Sequence, residues 1–197
     1  MANVSIKPQK FMPNLLMTLP AWADEKNFIV NTIVEINTHT INKYELITET
    51  GHLKLDRVGY SSLSYPFVYG AIPMTWDLDD DPLDIEIVHV TEPLVPGSLV
   101  EARVIGVMKY VDGDEVDDKI IAVLNDDKRV AHIQSIDDLG EYWKTETKYY
   151  WEHYKDLKKP GMGKSGEVKG FFDKLEAKKI IDESIERFDK EIKPNIE

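Results

Sequence analysis

The residues that could do chemistry are concentrated in two short runs of carboxylates. Asp77 to Glu86 holds six acids (Asp77, Asp79, Asp80, Asp81, Asp84, Glu86) and no base, and Asp112 to Asp118 holds five (Asp112, Asp114, Glu115, Asp117, Asp118) and no base. Carboxylates this close raise one another's pKa unless a cation sits among them. In Asp79-Asp80-Asp81-Pro82-Leu83-Asp84, an extended chain points Asp79 and Asp81 the same way. Pro82 stiffens the backbone after them, and Asp84 returns to the same place at a strand entrance. Three such carboxylates suit Mg²⁺, a hard cation that prefers oxygen ligands. On this run alone a solvated acidic loop explains the pattern equally well. The second run shifts the balance, because Asp112 and Asp117 bracket a turn between two predicted strands. Two acidic turns at one end of a barrel could hold several metals, and paired metals activate water and neutralise an oxyanion leaving group.

Competing motifs fail on their own requirements. Asp77, Asp79 and Asp81 match the first ligands of a calcium loop, but Pro82 stands where glycine is needed and Val88 where glutamate is needed. Gly163-Lys164-Ser165 lacks the first glycine of a phosphate loop, since residue 158 is Lys158. His39, His52, His89, His132 and His153 show no zinc spacing, and there is no Gly-x-Ser-x-Gly elbow. A set of phosphate-binding groups is nevertheless available. Lys43 follows Glu35 on a strand, Arg57 follows Asp56, Tyr69 lies in Tyr65-Pro66-Phe67-Val68-Tyr69-Gly70, Lys119 closes the acidic hairpin, and Tyr154-Lys155 ends a helix. Singly these are ordinary surface lysines and core aromatics. Together they offer a planar guanidinium fork and several point charges for phosphate oxygens.

The elements that must position these residues divide the chain. Phe28 to Ile36, β-branched and alternating, reads as a strand, and so do Tyr44 to Thr48, Leu53 to Val58, Ile85 to Val90, Leu99 to Val111 and Lys119 to Leu124 between turn signals. Gly106 marks a bulge in the fifth of them. Short strands between Gly and Pro turns predict a small antiparallel barrel. In the last third, Leu139, Tyr142, Trp143, Tyr150 and Tyr154 recur at helical spacing after an N-cap at Ser135, and Leu175, Ile180, Ile181, Ile185 and Phe188 mark a second helix. Pro160 to Gly166 between them reads as a loop. The class is α+β, a barrel with C-terminal helices packed against it, as one domain over 1–197.

Composition narrows the partners. The 197 residues carry a net charge of −12 and no cysteine, so disulfides and thiolate metal sites are excluded. Acidity disfavours nucleic acid, which is held by clustered Lys and Arg. The two acidic runs account for −11, leaving the other 180 residues near neutral. Lys7 and Lys10 precede an apolar segment, but Pro13 and Asn14 break it short of the roughly 7–15 residues of a signal core. No segment approaches the ~20 apolar residues of a membrane span. A cytoplasmic location is expected.

The ordered set of motifs resembles the soluble family I inorganic pyrophosphatases of prokaryotic type. Asp79 to Asp84 fits their Asp-x-Asp-Pro-hydrophobic-Asp signature. Val34-Glu35-Ile36, Lys43-Tyr44-Glu45, Leu55-Asp56-Arg57 and Tyr65 to Gly70 precede it. Pro96-Gly97-Ser98, Gly106-Val107-Met108-Lys109, Asp117-Asp118-Lys119 and Glu152 to Leu157 follow, so the likeness runs from about Ile29 to about Asp173. It implies an OB-like barrel and Mg²⁺-dependent hydrolysis of pyrophosphate to two orthophosphates, with Mn²⁺ or Zn²⁺ as substitutes. It assigns Asp79, Asp84 and Asp117 to metals, Asp112 to a further ion, and Asp81 to the attacking water. Glu35 and Glu45 become site acids, Lys43, Arg57, Tyr69, Tyr154 and Lys155 phosphate ligands, and Lys119 a neutralising charge beside the phosphates. A homohexamer is the family expectation. Two departures stand out. Lys43 follows Glu35 one residue early, and the loop from Lys158 to Val168 is long, leaving Lys164 or Lys169 to face the substrate. The alternative is a non-enzymatic OB-type module that binds divalent cations or a basic partner through its acidic loops. Such a module has no need of the cationic clamp Lys43, Arg57, Tyr154 and Lys155.

Overall fold

A computed structural model describes residues 14–161, 163–164 and 166–195. A short helix α1 (Leu15–Thr18), capped by the Asn14 side chain, leads into β1 (Trp22–Asp24) and β2 (Ile29–Ile36). The alternating residues of β2 are buried on both faces from Thr32 to Ile36, because this strand lies in the wall of a closed barrel. Strands β3 (Asn42–Leu46) and β4 (Leu53–Val58) form a separate two-stranded arm, and β5 (Val68–Ala71) returns the chain to the barrel. There follow β6 (Asp84–Ile87), β7 (Leu99–Asp112), β8 (Glu115–Val116), β9 (Lys119–Leu124) and, after a helix, β10 (Gly166–Asp173). The sequence pattern anticipates β2, β4, β7 and β9 closely. It does not anticipate β1, β5, β8 or β10.

Among the described residues, pairings β2–β5, β5–β6, β6–β9, β9–β7 and β7–β2 close a five-stranded ring, with β10 added on β7. The expectation of a wholly antiparallel barrel needs correction at one seam, since β6 and β9 run parallel with Asp84 opposite Lys119. The consequence is functional. Each acidic run immediately precedes one of these strands, so parallel pairing brings both runs to the same barrel end. Gly106 lies at the bulge in β7, where an added Cβ would stand 2.5 Å from the Phe172 carbonyl and 2.9 Å from Ile136.

Ser135 caps a single turn (Ile136–Leu139), and Gly140, at φ 77°, redirects the chain into α2 (Gly140–His153). The helix anticipated from Ser135 is thus broken at the glycine. Asp173 accepts from the Leu175 and Glu176 amides and starts α3 (Lys174–Arg187). Ala177, Ile180, Ile181, Ser184 and Phe188 face inward, whereas Leu175 is 64% exposed. It precedes Ala177 by two residues and so points away from the apolar stripe. One core, with Leu83, Ile85 and Ile120, lies beneath α3. A second, with Phe67, Tyr69, Tyr150 and Trp151, lies beneath α2. The expectation about a leader falls partly on residues 1–13, outside those described. Among the described residues no helix is long and apolar enough to cross a membrane.

Candidate active site

The parallel seam determines which carboxylates meet. Asp84 opens β6, Asp117 lies two residues before β9 across the seam, and Asp79 sits in the loop before β6. Each offers an oxygen, and the three oxygens lie within 4.8 Å of one another. Lys119, in register with Asp84, donates to both Asp84 and Asp117. Its ammonium lies 5.2 Å from the Trp151 ring centroid and 5.6 Å from that of Tyr69. Its side chain is 1% exposed. The sequence reading expects Lys119 as a neutralising charge beside the phosphates; the fold buries it against Asp84 and Asp117. It is an internal counter-charge.

The electrostatics follow from crowding. Burial, then the Asp117 and Asp84 charges, push Asp79 up to about 8, and its Oδ1 is buried with no hydrogen-bond partner among the described residues. Burial and then Asp84 push Asp81, on the rim of the cleft, up to about 7. Burial dominates at Asp84 and raises it, although Lys119 opposes the shift. At Asp117 burial acts upward too, but Lys119 outweighs it and holds the carboxyl below the usual range. Lys119 is desolvated, yet Asp117 and Asp84 hold its ammonium well above the ordinary lysine value. Glu35, 6% exposed, is driven up to about 8 by burial and then Asp84.

A cleft of about 150 Å³ opens over this cluster, with Lys43, Asp81, Tyr154 and Lys155 in its walls. Glu35 and Asp112 line it but stand apart from the three converging carboxylates. Glu35 accepts from the Leu46 amide at 2.7 Å, and Asp112 is ion-paired with Lys155. Lys43 reaches the cleft despite its early position and pairs with Glu45. Arg57 lies opposite Lys43 across the arm. It does not line the cleft itself: it donates to Asp56 at 2.6 Å and leaves Nη2 buried without a partner.

Tyr154 stacks on Tyr150 at 5.3 Å and meets Trp151 edge-on at 5.1 Å. Burial raises both Tyr69 and Tyr154 well above the ordinary phenol range, so each keeps its proton to donate. Neither late lysine lines the cleft. Lys164 pairs with Glu152 and Lys169 with Glu167, each at 2.5 Å. Tyr65 and Trp151, which the sequence reading left outside the site, line it. Their aromatic motifs signalled core, and only the fold shows that this core surfaces at the cleft.

An acidic cluster facing fixed cations across a small polar cleft is suited to holding a polyanion through divalent ions. Residues 32–189 match the family model described as inorganic pyrophosphatase. The inorganic pyrophosphatase of Corynebacterium efficiens is 43% identical over 159 residues, covering 81% of this chain and 98% of that protein. That of Geobacillus stearothermophilus is 42% identical over 166 residues, covering 84% and 98%. The crystal structure of an inorganic pyrophosphatase from Neisseria gonorrhoeae superposes with a TM-score of 0.82 at 37% identity, covering 89% of this chain and 99% of that one.

Proposed function

The chain belongs to the inorganic pyrophosphatase family, and from that premise we infer that its cleft hydrolyses pyrophosphate to two orthophosphates with Mg²⁺ held by Asp79, Asp84 and Asp117. One observation carries the reading. The three-carboxylate cluster, with oxygens within 4.8 Å, shares a single cleft with Lys43 and Lys155. A cation-binding module would have the first feature without the second. The donor set fits a hard cation: it is all oxygen, Asp79 Oδ1 has no partner, and the mutual repulsion that raises Asp79 to about 8 is what a cation would relieve. When bound, Mg²⁺, or Mn²⁺ or Zn²⁺ in its place, supplies charge that lowers the pKa of water and neutralises a departing oxyanion.

The remaining roles belong to side chains. Asp81 sits on the rim, outside the three-carboxylate cluster, and in its ionised form takes the proton of the attacking water. Lys43 and Lys155 hold phosphate oxygens, Arg57 adds the fork whose Nη2 is unpartnered, and Tyr69 and Tyr154 donate hydrogen bonds. Lys119 keeps Asp84 and Asp117 fixed below. Glu35 and Asp112 act around the cluster, with Asp112 positioned to accept a further ion once Lys155 turns to substrate. Hydrolysis makes one bond from water oxygen to phosphorus and breaks one to the bridging oxygen, so catalysis reduces to positioning and charge stabilisation. A cytoplasmic homohexamer completes the reading, on the resemblance to the prokaryotic-type enzymes.

The test is phosphate release from pyrophosphate, ATP and a phosphomonoester by the purified full chain. Rapid release from pyrophosphate that EDTA abolishes is expected. No turnover with Mg²⁺ present would overturn the reading in favour of the non-enzymatic module.

A further inference from the structure

Asp77 opens the first acidic run yet lies outside the cleft. It is 6% exposed, and its Oδ1 accepts from Arg187 Nη2 at 2.7 Å, across 110 residues of chain, from the last turn of α3. The same guanidinium donates through Nε to the Trp76 carbonyl at 2.8 Å and through Nη2 to Ser184 Oγ at 2.9 Å. The Trp76 amide in turn donates to the Ser184 carbonyl at 3.0 Å. Residues 76 and 77 are thus fastened to one turn of a helix whose Ala177 and Ile181 are fully buried against the barrel.

Beyond this anchor the chain closes on itself. The Asp77 amide donates to the Asp81 carbonyl at 2.7 Å, and Thr75 Oγ1 accepts from the Leu83 amide at 2.9 Å. Asp79 and Asp81 project from the closed loop. Two forces work to open it. Within it Asp80 is a non-glycine residue at φ 63°, in the strained left-handed region. In addition, the carboxylates of Asp79, Asp84 and Asp117 crowd within 4.8 Å of one another and repel. Such a conformation persists only when its surroundings over-determine it.

We propose that Arg187 is a positioning residue for the loop that carries Asp79 and Asp81. Its planar fork reaches a carbonyl, a carboxylate and a hydroxyl at once, which a lysine ammonium on a flexible stem does not reproduce. The ion pair fixes where the loop leaves α3 and hence where the two carboxylates are presented. The inference rests on the assignment of those carboxylates given above.

The experiment compares Arg187→Ala, Arg187→Lys and Asp77→Asn with Lys190→Ala, which breaks only the exposed Lys190–Glu186 pair near the end of the same helix. Calorimetry without substrate reads Mg²⁺ affinity, and phosphate release reads turnover at saturating Mg²⁺. Arg187→Ala is expected to weaken Mg²⁺ binding about tenfold, the effect of losing a charge-assisted contact. Arg187→Lys should fall between it and the unaltered chain, and Lys190→Ala should match the unaltered chain. Asp77→Asn keeps the side chain's size and leaves α3 untouched while removing the charge of the pair, so it should loosen the loop and shift affinity in the same direction should Arg187→Ala fail to fold. Lower melting temperatures with unchanged Mg²⁺ affinity in the folded Arg187 and Asp77 variants would overturn the proposal. Absence of turnover in the unaltered chain would instead strike the assigned reaction, so the two failures are distinguishable.

Discussion

Adding Mg²⁺ to the metal-free protein at pH 7 should expel protons. Glu35 and Asp79 are raised to about 8 and Asp81 to about 7, in each case by burial first and then by neighbouring carboxylates. Groups with these midpoints together hold about two protons at pH 7, where ordinary carboxyls would hold almost none. A divalent cation favours the ionised forms, so binding should release about one to two protons. Calorimetric titrations in two buffers of different ionisation enthalpy measure the number, because the observed heat changes by the buffer's ionisation heat for each proton released. The sign of the pH dependence follows. Raising the pH removes the competing protons, so apparent Mg²⁺ affinity should climb from pH 6 to about 8.5 and then level, with release at pH 9 falling to about 0.2 proton. The same heat in both buffers at pH 7, or undiminished release at pH 9, would refute the argument that crowded carboxyls are protonated until a cation arrives.

Two substitutions separate chemistry from scaffold. Asp81→Asn should leave Mg²⁺ binding within a few-fold, since Asp81 is not among the three converging ligands, while lowering turnover about 10²–10⁴-fold. A near-normal rate of phosphate release would remove Asp81 as the base. Gly70→Ala should be destabilising by about 1–3 kcal/mol, because its Cβ would stand 2.3 Å from the Ile33 carbonyl where β5 pairs with β2. An unchanged thermal midpoint would contradict that contact.

The chemistry was more legible in the sequence than its geometry. The signature Asp79 to Asp84 could be read as a motif, but not its geometry: the segment is a turn with Asp80 at φ 63° and not an extended chain, and Asp79 and Asp84 converge with Asp117 while Asp81 stays outside the group. Strands with a clear local pattern, alternating in β4 and continuously apolar from Ile120 in β9, could also be read from their residues. Strand β10 was not legible, because its bulge between Val168 and Gly170 interrupts the alternation. The parallel seam β6–β9 is a long-range pairing that no local pattern encodes. Side-chain fates set by distant partners were equally hidden. Glu86 looked like one more exposed acid, yet it is fully buried and accepts from Trp151 Nε1 at 2.6 Å across 65 residues. The sequence makes Lys119 a neutralising charge beside the phosphates, because its burial between Asp84 and Asp117 depends on the seam. The strand alternation that buries it acts through the fold.

The fold also explains why so acidic a chain can serve so anionic a ligand. Several of the clustered acids are neutralised or engaged locally. Asp77 is paired with Arg187, Asp112 with Lys155, Asp118 accepts from the Tyr110 amide, and Glu86 from Trp151. Four carboxylates remain around the cluster, Asp79, Asp81, Asp84 and Asp117, with Lys119 as the internal cation that bonds two of them. One ammonium cannot offset four carboxylates, so a fully ionised, metal-free cleft repels pyrophosphate even with Lys43 and Lys155 in its walls. Either protons or divalent ions must supply the difference. Protons do so at low pH, but a protonated Asp81 cannot accept a proton from water. Divalent ions remove the repulsion and leave Asp81 ionised, as its proposed role requires. Dependence on a divalent cation therefore follows from how the parallel seam gathers the acids, and not from the chain's net charge.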